Sequence, residues 1–312
     1  MTVVATGSIA FDYILRFQGH FGEHFVADMA HTVNLSFLVD RMEKRRGGVA
    51  ANYAYTMALL GQPAAILATA GGDAVEYREW LQSKGIDCSG MRILPEELSA
   101  TGFTTVDLDE NQLTGYYGGA MLQAGQLGLA DTSADPAAVI VGPNAPDAMA
   151  RLVAECRAAN VRWIYDPAHQ LPMLSATAVV EAARGSWILI GNEYEIELVQ
   201  QRTGLSMDGL LELTEHVVTT LSAKGARIAT RSGTIEIPVA PAREMVDPVG
   251  AGDAFRAGLA HGLLAGRDLE EAGRIASLCG AYVVEQVGTV EHAYTREEFE
   301  LRYRQAFGAA LS

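Results

Sequence analysis

The stretch Asp247-Pro-Val-Gly-Ala-Gly-Asp-Ala-Phe-Arg-Ala-Gly258 is the most informative part of the sequence, because a turn of small residues leads there into the apolar helical run 254–264. Such a turn directs backbone N–H groups and the positive end of a helix dipole at one point, which suits a phosphate group. Asp253 lies in the same turn. Its carboxylate could accept a proton from a hydroxyl group, and the alternative interpretation is that it only caps the helix.

Two common nucleotide-binding motifs are excluded at this turn. The dinucleotide fingerprint GxGxxG requires a third glycine, and Phe255 stands in its place. A Walker loop requires a lysine directly after GxxxxG, and none of Lys44, Lys84 and Lys224 has that spacing.

Short apolar runs alternate with helical patterns on the N-terminal side of the turn. The runs cover residues 138–141, 161–165, 187–190 and 217–221, and helical patterns follow at about 146–157 and from Glu193 onward. This alternation predicts an α/β fold with a mostly parallel central sheet and helices on both faces, whose ligands lie at the strand exits. Further helices are predicted after Leu269 and over residues 296–307.

Two regions, residues 12–45 and 98–121, break this alternation. Each contains strand-like stretches, and no helical pattern separates the stretches within a region. We interpret them as a small β-sheet inserted into a single domain of residues 1–312, where it forms a lid over the site. One interpretation is that the chain forms a homodimer through the lid, because exposed β edges recruit partners. The lid carries the apolar residues Leu35, Phe37 and Leu38 for such a contact. The alternative is a lid that packs only on its own domain.

A pair of glycines opens a second helix in the stretch Arg45-Arg-Gly-Gly48, and Asn52 follows one turn later. Gly48 lets the backbone approach a ligand closely, and the Asn52 amide could bind a hydroxyl group. Asp12 follows the opening strand in Gly7-Ser8-Ile-Ala-Phe-Asp12, where it could accept two vicinal sugar hydroxyls. The alternatives are a simple strand–helix turn with a surface-facing Asn52 and a turn carboxylate at Asp12.

The stretch Asn192-Glu-Tyr-Glu195 stands at another strand exit, where carboxylate and amide oxygens could hold Mg²⁺ largely through water. The alternative is an ordinary acidic first turn, which the helix dipole favours. His169 and Gln170 follow Asp166-Pro167 and are plausible ligand contacts.

The overall charge narrows the possible partners. The 312 residues contain 23 Lys and Arg against 38 Asp and Glu, which gives a net charge of −15. Such an acidic surface argues against a nucleic acid polymer or an anionic membrane as partner. No stretch reads as a secretory signal or a membrane span, and three scattered cysteines form no CxxC, so we expect a cytoplasmic protein with reduced thiols.

Taken together and in this order, these stretches resemble the ribokinase-like (PfkB) family of carbohydrate and nucleoside kinases. The resemblance covers essentially the whole chain, and three segments are similar to bacterial adenosine kinases of the ribokinase type: residues 6–12 with 15–17, residues 34–40 ahead of Arg45, and residues 111–121. It implies a ribokinase-like fold and the reaction adenosine + ATP → AMP + ADP, with Mg²⁺ and a role in purine salvage. Other nucleosides or pentoses as acceptors remain open, as does a non-catalytic nucleoside-binding protein.

The resemblance also implies roles for single residues. Asp253 would take the proton of the 5′-hydroxyl, and the N–H groups of Gly250, Ala251 and Gly252 would form an anion hole for the γ-phosphoryl group. Asp12, Gly48 and Asn52 would hold the ribose, and Asn192 and Glu195 would organise Mg²⁺ and the phosphates. The ATP base and ribose would lie against Thr220, Ser222, Lys224 and Gly225. Further acceptor contacts are expected from Ser8, Ser36, Phe37, Phe103, Tyr116, His169 and Gln170.

The chain departs from the family pattern mainly in the lid. Gly102 stands where an aromatic side chain would stack on the purine, and Gly118 stands where a proline is usual. Phe103 could replace that aromatic only if the strand register shifts, because neighbouring residues of a strand face opposite ways. The loop around Asp247 and the carbonyls near Gly288 are candidates for a monovalent cation.

Overall fold

A computed structural model describes residues 1–23 and 36–311, and these residues form two β-sheets and the helices that cover the larger one. The strands are β1 (Thr2–Thr6), β2 (Ala10–Arg16), β3 (Arg41–Gly47), β4 (Ala64–Gly71), β5 (Asp87–Leu94), β6 (Ala100–Val106), β7 (Gln112–Tyr117), β8 (Pro136–Val141), β9 (Arg162–Tyr165), β10 (Ile188–Asn192), β11 (His216–Thr220), β12 (Ala226–Thr230) and β13 (Gly233–Ile237). The helices are α1 (Val49–Leu59), α2 (Val75–Ser83), α3 (Pro146–Ala158), α4 (Ala176–Ala183), α5 (Glu193–Thr203), α6 (Met207–Leu213), α7 (Ala251–Leu264), α8 (Leu269–Val284) and α9 (Arg296–Phe307).

The larger sheet has the strand order β13-β12-β11-β10-β9-β8-β1-β4-β5. All neighbours from β11 to β5 are parallel, whereas β12 and β13 extend the edge in antiparallel fashion. The predicted mostly parallel sheet is therefore confirmed, and β8 to β11 correspond to the four predicted strands within two residues at each end. The antiparallel edge was not predicted.

Helices cover both faces of this sheet, as predicted. On β1, Val3 and Ala5 pack into one apolar cluster with α1, α7 and α8, while Val4 packs into the other with α3, α4, α5 and α6. Strands that are buried on both faces are built from continuous apolar residues, which is why the runs in the sequence do not alternate with polar residues. Among the described helices, none is long and apolar enough to cross a bilayer.

The smaller sheet has the strand order β3-β2-β6-β7. Its strands overlap the two regions predicted to form a lid, although β2 begins two residues before the first region and β3 ends two residues after it. Strand β2 pairs with β3 in antiparallel and with β6 in parallel fashion. Strand β7 is exposed along its whole length. Leu35, one of the residues expected at a dimer contact, lies outside the described residues.

Candidate active site

A cavity of about 300 Å³ opens at the carboxyl ends of the central parallel strands. It brings together residues from segments far apart in the sequence: Val49, Pro143, Asp166, Ala168, His169, Asn192, Glu195, Thr220, Gly250, Gly252, Asp253 and Arg256. Seven of these were predicted as site residues. A larger cleft of about 480 Å³ borders β3 and α2, and it contains none of the predicted site residues.

The N-terminal end of α7 faces this cavity without a side-chain cap. Gly250 precedes the helix with φ 84°, and a Cβ atom there would lie 2.8 Å from the Thr289 side chain, so glycine is required. Within the described residues, no acceptor is bonded to the N–H of Gly250 or Gly252, whereas Ala251 donates to the Pro248 carbonyl at 3.3 Å. The end of the helix therefore offers unused donors to an anion.

Asp253 lies in the first turn of α7 and is held by Asn52 from the first turn of α1. The Asn52 Nδ2 donates to Asp253 Oδ2 at 2.7 Å. Burial raises the pKa of Asp253 to about 6, although Arg256 and the Asn52 hydrogen bond oppose the shift. The Asn52 Oδ1 is buried and has no partner among residues 1–23 and 36–311, so this amide can accept a further hydrogen bond from a ligand.

Beneath Asp253 lies a buried network that the sequence analysis missed. Arg256 forms an ion pair with Asp166 and donates to the Gly252 carbonyl at 3.0 Å. The Tyr53 hydroxyl donates to the same Asp166 carboxylate at 2.5 Å. The network joins the first turn of α7 to the exit of β9, and Glu195 lies 3.7 Å from Arg256. Asp166 and Arg256 were both quoted as parts of motifs, but only the topology brings these residues, 90 positions apart, into contact.

Asn192 and Glu195 use part of their hydrogen-bonding capacity on their own helix. The Asn192 side chain accepts the Glu195 N–H at 2.8 Å, and the Glu195 carboxylate accepts the Asn192 N–H at 2.7 Å, which makes a capping box. Among the described residues no group of three or more His, Cys, Asp or Glu side chains could hold a metal ion. The remaining oxygens fit a Mg²⁺ ion that takes its other ligands from water and from phosphate oxygens.

In the smaller sheet, Asp12 lies opposite Gly102 on β6 and Arg45 on β3. Burial raises the pKa of Asp12, and the nearby charge of Asp247 raises it further. Tyr116 lies opposite Gly102 from the other side, and its ring is 6.3 Å from that of His169 at the cavity wall.

Around the start of α1, the backbone of Gly48 and Val49 contacts Ser8 and Ala10. Ser8 is buried and accepts the Val49 N–H at 3.2 Å. Gly48 has φ 97°, and a Cβ atom there would lie 2.5 Å from Ser8 and Ala10 backbone atoms, so no other residue fits.

Two aromatic residues predicted to contact the acceptor, Phe103 and Phe37, do not line the cavity. Phe103 is on the face opposite to Asp12, stacked on Tyr13 at 5.2 Å, because the register pairs Asp12 with Gly102 and no shift occurs. The register shift that would let Phe103 replace the missing aromatic is therefore absent from the pairing of β2 with β6, and Phe103 does not contribute to the site. Phe37 packs on Phe17 at 4.6 Å between ring centroids, within an aromatic cluster.

The cavity lining also leaves out the predicted residues Ser8, Asp12, Gly48, Asn52, Tyr116 and Ala251, and five further ones. These five are Ser36, Gln170, Ser222, Lys224 and Gly225. The last three belong to the turn between β11 and β12, in which Ser222 has φ 53° and Gly225 has φ 90°. Only Thr220 of the segment predicted to border ATP reaches the cavity.

Comparison of the sequence with known proteins identifies its family. A family model described as pfkB family carbohydrate kinase matches residues 2–296. A nucleoside kinase of Methanothermobacter thermautotrophicus is 33% identical over 312 residues, which cover 98% of this chain and 96% of that protein.

Two solved structures similar to this chain are also those of nucleoside kinases. The nucleoside kinase of Burkholderia thailandensis in complex with inosine matches with a TM-score of 0.89 and 37% identity, covering 99% of each chain. The nucleoside kinase of Methanocaldococcus jannaschii, described as an archaeal member of the ribokinase family, matches with a TM-score of 0.89 and 26% identity over 97% of this chain and 98% of that one. The chain thus has a ribokinase-like fold and belongs to the pfkB family of carbohydrate kinases, phosphotransferases that act on a hydroxyl group.

Proposed function

We propose that the chain is a nucleoside kinase that transfers the γ-phosphoryl group of ATP to the 5′-hydroxyl of a purine nucleoside, with adenosine as its acceptor and purine salvage as its role. The observation that carries this proposal is the position of Asp253, held by Asn52 at the uncapped end of α7. Nucleoside kinases among the relatives support the acceptor class, and a Burkholderia thailandensis complex with ADP and inosine supports the use of ATP.

Inosine is the second candidate acceptor, and one specific observation favours it. The related Burkholderia thailandensis kinase is described in complex with inosine. Adenine and hypoxanthine differ at the 6-position, where adenosine carries an amino group and inosine an oxygen. The residues that meet the base therefore decide between them, and Tyr116 and His169 are the side chains we assign to this contact, because their rings meet beside the cavity.

The chemistry asked of this chain is positioning and charge stabilisation. Asp253 accepts the proton of the attacking hydroxyl, and its raised pKa of about 6 makes it a better base than an ordinary carboxylate while leaving it ionised at pH 7. The free N–H groups of Gly250 and Gly252 stabilise negative charge on the group in transfer. Asn52 and Asp12 hold the ribose hydroxyls.

Mg²⁺ would neutralise phosphate charge, and Glu195 with Asn192 would hold it through water. A monovalent cation would lie at the loop of Asp247. The Asp247 carboxylate accepts hydrogen bonds from the N–H groups of Val249 at 3.0 Å and Gly288 at 3.1 Å. These two bonds fix the loop that precedes α7.

The small sheet acts in this proposal as a lid within a single domain, and as the contact of a homodimer. The exposed side chains of β7, among them Leu113 and Tyr117, support a partner at this edge. Light scattering at micromolar concentration that gives only the monomer mass would reject the dimer. The three buried free thiols are in keeping with a reducing, cytoplasmic location.

A coupled assay of ADP release across adenosine, inosine, other nucleosides, ribose and fructose tests the function. We expect kcat/KM to be highest for adenosine and next for inosine. A pentose or hexose that exceeds both would overturn the nucleoside assignment. Binding of nucleosides by calorimetry without any turnover would show a binding protein rather than a kinase.

A further inference from the structure

Two glycines in neighbouring lid strands lie directly against the carboxylate of Asp12. A Cβ atom on Gly102 of β6 would lie 2.6 Å from Asp12 Oδ1, and a Cβ atom on Gly47 of β3 would lie 2.6 Å from Asp12 Oδ2. Real Cβ atoms do not approach an oxygen so closely. The carboxylate therefore lies across the sheet with one oxygen over each glycine.

Nothing else in their surroundings explains these two glycines. Neither has a positive φ, so alanine is allowed by the backbone. Apart from Asp12, the nearest atoms to their Cβ positions are Tyr116 Cδ2 at 3.9 Å and the Ala10 carbonyl at 3.9 Å, which are ordinary contacts. A glycine inside a strand weakens the strand and often marks a close approach of another group.

The next feature of the Asp12 carboxylate is its lack of a hydrogen-bond donor in the described part of the chain. Within residues 1–23 and 36–311, no donor is hydrogen-bonded to the Asp12 oxygens, and Arg45 directly opposite pairs with Glu43 and the Val287 carbonyl instead. Burial and the charge of Asp247 both raise the pKa of Asp12, so the site keeps a carboxylate where it is electrostatically costly. A partly buried carboxylate without a hydrogen-bond donor is costly for stability and therefore indicates a ligand.

We propose that Gly47 and Gly102 are positioning residues, whose missing side chains form a slot that orients the Asp12 carboxylate toward the hydroxyl groups of the acceptor. This inference rests on the proposed function, since it assigns Asp12 to the acceptor. It also gives the unexpected Gly102 a task that an aromatic residue at this position could not perform. The slot acts on acceptor binding and leaves phosphoryl transfer at Asp253 unchanged.

Steady-state kinetics of Gly102→Ala against a matched control tests the slot. Gly115 lies on the adjacent strand β7, has no atom within 4 Å of its Cβ position and has no positive φ, so Gly115→Ala is that control. We expect Gly102→Ala to raise KM for the nucleoside roughly tenfold, because a displaced carboxylate weakens its charge-assisted hydrogen bonds. Its kcat and its KM for ATP should stay within about twofold, and Gly115→Ala should change none of the three.

Thermal unfolding separates the slot from general damage to the lid. Replacing glycine by alanine in a strand removes a conformational cost, so the midpoint should stay or rise by a degree or two in both variants. A nucleoside KM that rises while stability does not fall would support the slot. A fall of more than about 5 °C in Gly102→Ala would show that this glycine serves the fold instead.

A double-mutant cycle with Asp12→Ala identifies the partner. Once Asp12 is removed, Gly102→Ala should have no further effect on KM, and a persisting effect would overturn the slot. Equal KM values for Gly102→Ala and Gly115→Ala would overturn it as well. Failure of the wild-type chain to phosphorylate any nucleoside would instead contradict the proposed function, so the two failures are distinguishable.

Discussion

The helices α7 and α5 both begin at the same cavity, yet their first turns are built in opposite ways. The N-terminal end of α7 has no side-chain cap, and the N–H groups of Gly250 and Gly252 have no acceptor in the part of the chain that the structure describes. The end of α5 is closed by Asn192 and Glu195, which satisfy each other's backbone. A missing cap destabilises a helix by about 1 kcal/mol, so the open end is a local loss of stability that a bound anion restores.

This difference separates two tasks within one site. In the proposed reaction, the open N-terminal end of α7 would receive the group in transfer, and the capping box of α5 would hold the Glu195 carboxylate in a fixed place beside it. Arg256 links them, because it contacts Asp166, Gly252 and Glu195. Variants at α7 should therefore reduce turnover strongly, and variants at α5 should change ion dependence mildly.

The largest effect is expected at α7 from Asp253→Asn. An amide of the same shape cannot accept the hydroxyl proton, so kcat should fall by about 10²-fold or more. The nucleoside affinity measured by calorimetry should survive, because Asn52 and Asp12 are unchanged. Near-normal turnover would contradict the role of Asp253 as the base.

The next effect is expected from Arg256→Lys, which tests the link between the two helices. Lysine keeps the charge but loses the planar fork that bonds Asp166 and the Gly252 carbonyl together, so kcat should fall about tenfold to thirtyfold. Circular dichroism and a thermal midpoint check that the variant is folded.

A second buried arginine provides the control for this variant. Arg302 pairs with Glu285 and donates to the Pro241 carbonyl at 3.0 Å, away from the cavity. Arg302→Lys should lower stability to a similar degree and leave kcat within about twofold. If both variants reduce kcat equally, the Arg256 effect is one of stability alone.

The pH dependence of kcat/KM should show an acidic limb set by Asp253. The carboxylate must be ionised to act as base, and its pKa is raised to about 6 by burial, against the opposing Arg256. The rate should therefore fall as the pH drops through 6, by about tenfold at pH 5 relative to the plateau. A flat profile between pH 7 and pH 5 in a chain that stays folded would contradict this assignment.

The smallest effect is expected at α5 from Glu195→Gln. Glutamine maintains a capping box, so the helix should keep its start while the charge is lost. The Mg²⁺ concentration for half-maximal activity should rise about threefold to tenfold, with little change in kcat at saturating Mg²⁺.

The capping box of α9 supplies a matched control. Thr295 and Glu298 form the same reciprocal pair outside the cavity. Glu298→Gln should leave the Mg²⁺ dependence unchanged. An equal shift in both variants would mean that Glu195 has no specific part in holding the ion.

The parts of the fold that could be predicted are those with a strong local signal. Helix α9 begins at Arg296 and ends at Phe307 as predicted, and α3 begins at Pro146, because proline is favoured in the first turn. The pair β12 and β13 was missed, because these short strands carry mixed polar and apolar residues and their pairing depends on the sheet edge beside them.

The same difference between local signals and long-range packing applies to the residues of the site. The turn of Gly250 and Asp253 has a local signature and lines the cavity. Arg256 and Tyr53 meet on Asp166 only through packing between distant segments, which no local pattern reveals. The side of the lid on which Phe103 lies follows from the register with β2, a property of two strands rather than one.

The hydrogen bond between Asn52 and Asp253 has a consequence for synthesis of the chain, since it joins residues 201 positions apart. Chains grow from the N-terminus, and long-range contacts form late in folding. The segment with Asp12 and Asn52 emerges first, and Asp253 with the turn of Gly250 emerges much later. Under the proposed function, a growing chain would therefore lack the groups needed to consume ATP until the two segments have met.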